Sequence, residues 1–154
     1  MSDAAAPDWS PDGTRLAFSS EQGISTIRPD GTDRKLIVSK AFDSDFSPDG
    51  TKLAFVRRTD EWGTEIFVAN ADGTGQRRLT SSYEAESGPA WSPDGSLVAF
   101  TRWDRSAYTN LYWIVVVRGD SGEEYAVIRG PHSAFDPAWR PAVNLPRAKR
   151  GPCR

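Results

Sequence analysis

The sequence predicts an all-β fold of β-propeller blades, three complete four-stranded sheets and one strand of a fourth, in an incomplete ring. Three observations carry this. One turn motif recurs at long, nearly regular spacing. The apolar segments between its copies are too short for stable helices. The 154-residue chain also holds 13 Gly and 11 Pro beside six Trp and seven Phe. Many turn formers with many aromatics describe short strands around a packed core, and that aromatic content separates the chain from disordered ones.

The motif is Trp9-Ser10-Pro11-Asp12-Gly13, repeated as Phe46-Ser47-Pro48-Asp49-Gly50 and Trp91-Ser92-Pro93-Asp94-Gly95, with a worn copy at Trp139-Arg140-Pro141-Ala142. The four rings stand 37, 45 and 48 residues apart. A period of about 40–45 is that of one propeller blade. In each copy Pro presets φ at the second turn position, Asp is a turn former, and Gly13, Gly50 or Gly95 accepts positive φ where the next strand begins.

Three residues after each Gly comes an apolar triplet: Leu16-Ala17-Phe18, Leu53-Ala54-Phe55 and Val98-Ala99-Phe100. Third strands are expected at 24–27, 66–69 and 111–117, and fourth strands at 35–38, 77–80 and 125–128. Two of the third strands run into Asp30-Gly31-Thr32 and Asp72-Gly73-Thr74. The strand segments are rich in Val, Ile, Leu, Phe and Thr. A single sheet buries one face at best, so the repeats must stack, with Trp9, Phe46, Trp91 and Trp139 expected between neighbouring blades. A β-sandwich is the runner-up, but its strands would not carry the same turn at the same place every 40-odd residues. The expected division is an extension over 1–6, the propeller over 7–142 and a basic, disordered tail over 143–154. Blades are expected at about 7–39, 41–81 and 88–129, with a strand at 136–140.

The stretch Pro89-Ala90-Trp91-Ser92-Pro93-Asp94-Gly95, continued by Val98-Ala99-Phe100, resembles the TolB-type, WD-like propeller repeat. The resemblance covers roughly residues 7 to 142. It implies a non-catalytic scaffold that binds a protein partner through its channel mouth or loops, in a periplasmic or extracytoplasmic setting. The N-terminus Met1-Ser2-Asp3-Ala4-Ala5-Ala6 shows no basic region followed by an apolar stretch, so the chain as it stands carries no signal peptide. A closed propeller takes four to eight blades. The chain is therefore read as a fragment, as half of a ring completed by a second copy, or as an open arc. The alternative function is an inactive piece of the propeller of a larger hydrolase, prolyl-oligopeptidase-like, or of a lyase.

Charge and motifs narrow the chemistry. A formal net charge of −2 argues against a nucleic-acid binder. The longest apolar run, Leu111 to Val117, is too short to span a membrane. No Gly-x-Ser-x-Gly elbow or phosphate loop is present, so no catalytic residue and no organic cofactor is expected. One histidine, His132, and one cysteine, Cys153, cannot build a zinc site. The remaining site is geometric. Residues entering the first strands are Asp8, Asp43 with Asp45, Glu86 and Asp136. Asp43, Glu86 and Asp136 are the candidate Ca²⁺ ligands; the same carboxylates could instead meet a basic partner, cap turns or face solvent. Trp62, Trp103, Arg105 and Tyr108, assigned to loops between second and third strands, are the partner-binding candidates, with packing against the blade as the alternative.

Overall fold

The computed structural model describes residues 5–59, 63–82, 84–104, 111–129 and 137–139. Among them there is no helix, and twelve strands form three four-stranded antiparallel sheets, each a simple meander in chain order. The first sheet holds β1 (Ala5–Trp9), β2 (Leu16–Ser20), β3 (Gly23–Ile27) and β4 (Lys35–Ser39). The second holds β5 (Ala41–Phe46), β6 (Lys52–Arg58), β7 (Thr64–Asn70) and β8 (Arg77–Arg78). The third holds β9 (Ala85–Trp91), β10 (Leu97–Asp104), β11 (Leu111–Arg118) and β12 (Glu124–Ile128).

The recurrent motif closes the first hairpin of each sheet in the same way. The Gly13, Gly50 and Gly95 amides donate to the carbonyls of Ser10, Ser47 and Ser92, each at 2.8 Å. Each turn Asp then accepts from the backbone N–H two residues on, at 3.0 Å in all three copies (Thr14, Thr51, Ser96). The Ser hydroxyls of the motif donate to the same carboxylates at 2.6 Å. These bonds favour the ionised form and hold Asp12, Asp49 and Asp94 below the usual carboxylate range, Asp94 at about 2.

A second device also repeats. Ala6, Asp43 and Gly88, each three residues before a motif ring, have φ of 48, 56 and 61°. Pairing of the first with the second strand shifts register around each of these residues. The resulting bulge bends the inner strand without ending it. Pairing therefore continues upstream of the bulge, which is why β1 and β9 begin at Ala5 and Ala85 rather than near 7 and 88.

The sheets stack face to face. One buried cluster joins Ala17, Ile24 and Val38 of the first sheet to Phe46, Leu53 and Phe55 of the second. The other joins Ala54, Val56, Ile66 and Val68 of the second sheet, with Leu79 just beyond β8, to Trp91, Val98, Phe100, Val115 and Val117 of the third. Each seam thus sets the motif ring and the first two strands of one sheet against small and branched residues of the sheet before it. At about 25 cal/mol per Å² of apolar surface removed from water, these seams are the main source of cohesion.

Three expectations need correction. Phe46 and Trp91 are buried, each 8% exposed, but Trp9 is 54% exposed. It lies on the outward face of the first sheet, and no sheet among the described residues covers that face. The strand expected at 136–140 is not formed over its described part: 137–139 pair with no strand, and Trp139 is half-buried, its indole Nε1 donating to the Ala90 carbonyl at 2.9 Å. Trp103 is not in a loop. It pairs across the β10–β11 hairpin with Tyr112, the two rings stacked at 6.2 Å. Cross-strand aromatic contact extends this hairpin beyond the apolar triplet that marked it.

Candidate functional site: an acidic inner wall

The first strands β1, β5 and β9 stand side by side and form the inner edge of the arc. Carboxylates tie them together. Asp8 Oδ2 accepts the Phe46 backbone N–H at 2.8 Å, and Asp45 Oδ2 accepts the Trp91 N–H at 2.6 Å. Both Asp residues immediately precede a motif ring, so each sheet clasps the ring of the next. Asp43 adds a second tie: its amide donates to Ser19 Oγ at 2.8 Å, and its Oδ2 accepts the Gly88 N–H at 2.7 Å.

Three carboxylates therefore share one wall. Burial pushes Asp45 up to about 7; the Trp91 N–H opposes this, while the negative charges of Asp8 and Asp43 add to it. Burial also raises Asp8, against the N–H groups of Phe46 and Trp9. Among the described residues the charged groups acting on Asp45 are both acidic, Asp8 and Asp43, and no cation of those residues neutralises them there.

Glu86 is drawn into a different network. It and Glu65 lie in the seam between the second and third sheets, 1% and 0% exposed. Arg102 binds Glu86 Oε1 through Nε and Nη2, both at 2.9 Å, and reaches Glu124 at 2.6 Å. Arg78 binds Glu65 at 2.6 Å, and the Thr80 hydroxyl, with one proton to donate, lies between the carboxyl groups of both buried glutamates, within hydrogen-bond distance of each. The Ser82 amide and hydroxyl donate to Glu65 and Glu86 respectively. Burial raises Glu86, partly offset by Thr80 and Arg102.

Asp43 and Glu86 are thus each engaged by protein donors, and Asp136 lies outside the described residues. Among the described residues no group of three or more His, Cys, Asp or Glu is placed to hold a metal ion. Trp62, Arg105, Tyr108 and His132 also lie outside the described residues. Glu65, Arg78 and Thr80 escaped the sequence reading. Their one trace is a glutamate beside the apolar run of β7, which by itself does not distinguish a buried ion pair from a solvated edge. A groove of about 700 Å³ between the second and third sheets was equally invisible; Lys52, Arg77, Trp91 and Asp120 are among its lining residues.

Residues 6–143 match the family described as the TolB beta propeller domain. The chain belongs to that family. Curated relatives include the Tol-Pal system protein TolB of Zymomonas mobilis, 33% identical over 81 residues, which are 53% of this chain and 17% of that protein. The TolB homolog of Chlorobium luteolum is 36% identical over 100 residues, 61% of this chain and 22% of that one. The chain therefore spans less than a quarter of these TolB relatives. Among solved structures, TolB from Agrobacterium tumefaciens superposes with a TM-score of 0.69 at 21% identity, covering 90% of this chain and 54% of that one. The acylaminoacyl peptidase of Pyrococcus horikoshii gives 0.68 at 15% identity, covering 86% and 25%. These likenesses establish the shared propeller fold.

Proposed function

We propose that this TolB-type propeller segment is a non-catalytic interaction scaffold whose inner wall receives a cationic segment of a protein partner. The observation that carries this is the grouping of Asp8, Asp43 and Asp45 on adjacent inner strands, where the charges acting on Asp45 among the described residues are those of Asp8 and Asp43. Convergent negative charge on a rigid wall favours Lys- and Arg-rich segments and speeds their encounter. The match to a domain that occurs in Tol-Pal system proteins supports a protein partner. The peptidase propellers share the sheet arrangement at 15% identity or less and lend the chain no catalytic residue. By the same family resemblance, the setting is outside the cytoplasm.

A fluorescent Lys-rich peptide titrated into the full chain tests the reading. Binding that weakens at least tenfold in the Asp8→Asn/Asp43→Asn variant, and that falls with rising salt, is expected. Equal binding of a Glu-rich peptide of the same length, or no loss in the variant, would overturn it.

A further inference from the structure

The exposed face of the first sheet repeats, residue for residue, the faces that are buried at the two seams. Trp9, Leu16 and Phe18 occupy the positions of Phe46, Leu53 and Phe55, and of Trp91, Val98 and Phe100. The buried sets fill the two apolar clusters. In the first set Trp9 is 54% exposed and Leu16 and Phe18 are half-buried, Phe18 under the Arg34 guanidinium at 5.0 Å, with the neighbouring Leu36 50% exposed. An apolar group of this kind on a sheet face marks an association surface.

The backbone of that face is shaped for the same partner. Gly31, Gly73 and Gly122 sit in the turns between third and fourth strands, with φ of 83, 86 and 78°. A Cβ on Gly73 would lie 2.0 Å from the Ile37 carbonyl oxygen of the preceding sheet, and one on Gly122 would lie 2.0 Å from that of Leu79. Each glycine is therefore a notch into which the outer end of the preceding sheet fits. At Gly31 a Cβ would meet nothing within 4 Å. The motif glycines agree: Gly50 and Gly95 face Pro11 and Pro48 of the sheet before, while Gly13 faces nothing. The first sheet carries both notches of a seam, unfilled.

The third sheet offers the complementary surface. By strand register, its Ala99 and Ile114 stand where Ala17 and Ile24, and Ala54 and Ile66, receive the next sheet, but Ala99 and Val116 are 3% and 6% exposed, so this face is covered within the single chain and must be uncovered to receive another sheet. Ile128 at its outer edge is 57% exposed. Trp139 is held beside this face by one bond from its indole to the carbonyl of Ala90, the residue equivalent to the clasping Asp8 and Asp45.

We infer that the first sheet seats the third sheet of a second copy of this chain, head to tail, in a seam like the two internal ones, with Trp9 displacing Trp139 from its place beside Ala90. Two such seams close two copies into a ring of six sheets, within the four to eight that propellers use. Repetition of one heterologous contact yields either a closed ring or an open series, and the ring is the form inferred here. This surface is distinct from the acidic inner wall.

Size-exclusion chromatography with light scattering, run on the full chain from low to high micromolar concentration, tests the inference. The expected species has twice the 16.9 kDa chain mass. Trp9→Lys should return it to monomer with an unchanged β-sheet circular dichroism spectrum. Gly31→Ala, which meets no atom within the chain, should weaken association at least tenfold. Trp139→Ala should strengthen it several-fold by vacating the seat. A monomer at every concentration, an open ladder of larger species, or full association of both Trp9→Lys and Gly31→Ala would overturn the inference. Weaker association of Trp139→Ala would overturn the displacement of Trp139.

Discussion

The Asp45 carboxylate accepts the Trp91 backbone N–H across the seam between the second and third sheets at 2.6 Å. Asp8 and Phe46 repeat the contact one seam earlier. The residue before each of the first two rings thus locks the ring that follows it, and the same side chains line the inner wall.

This coupling makes stability depend on pH. Asp45 is raised from 3.8 to about 7 in the folded chain, chiefly by burial. The native state then holds a proton that the unfolded chain has lost, so its contribution is complete below about pH 4 and falls as pH rises to about 7. Asp45→Asn keeps an oxygen for the Trp91 N–H and abolishes the titration. In denaturant melts, the variant should lose less stability than wild type between about pH 4 and pH 8, by about 1–2 kcal/mol. Parallel curves would show that Asp45 is ionised throughout.

Acid acts in the opposite sense through the turns. Asp12, Asp49 and Asp94 are held below their ordinary value by Ser, Thr and backbone donors. Their contribution is present above the unfolded value and is lost as pH falls toward about 2. Asp94→Asn should flatten the acid limb of the melting curve and leave the neutral limb unchanged. A shift of the neutral limb alone would contradict this assignment.

The seam ring tolerates a change of ring but not its loss. Trp91 is buried, and its indole N–H has no hydrogen-bond partner among the described residues. Phe fills the equivalent place at 46. Trp91→Phe should therefore cost under about 1.5 kcal/mol, whereas Trp91→Ala should cost about 3–5 kcal/mol through the cavity it leaves. Equal losses in urea unfolding would mean that the indole N–H has a partner after all.

The buried ion-pair network is sensitive to removal of one member. Arg102 neutralises Glu86 and also reaches Glu84 and Glu124. Arg102→Ala leaves Glu86 buried and deprived of its cation, at a cost of about 3 kcal/mol or more. Arg102→Ala/Glu86→Gln should recover part of that loss. A double variant less stable than the single would place the effect in packing rather than charge.

Glycine substitutions separate strain from collision. Gly73→Ala must move the Ile37 carbonyl, while Gly31→Ala pays the positive-φ cost alone. The former should destabilise the monomer by at least about 2 kcal/mol more than the latter in thermal unfolding of dilute protein. Comparable melting points would mean that the seam yields at no cost.

Period and turn chemistry were legible without coordinates. The motif around Trp9, Phe46, Trp91 and their glycines determined the blades, their hairpins and their family, because turn geometry is local and a repeat exposes it several times. The carboxylates at Asp8, Asp43 and Asp45 were also visible as residues entering inner strands. Tertiary structure alone decided that Trp9 faces outward while Phe46 and Trp91 are buried, since burial depends on whether a neighbouring sheet is present and not on the residue. It alone brought Glu65 to Arg78 and Glu86 to Arg102, because each pair joins adjacent strands of one sheet, and strand period does not encode the register that sets them side by side. The difference between Gly31 and Gly73 has the same origin as that between Trp9 and the buried rings: identical turns, one open and one pressed against another sheet's backbone.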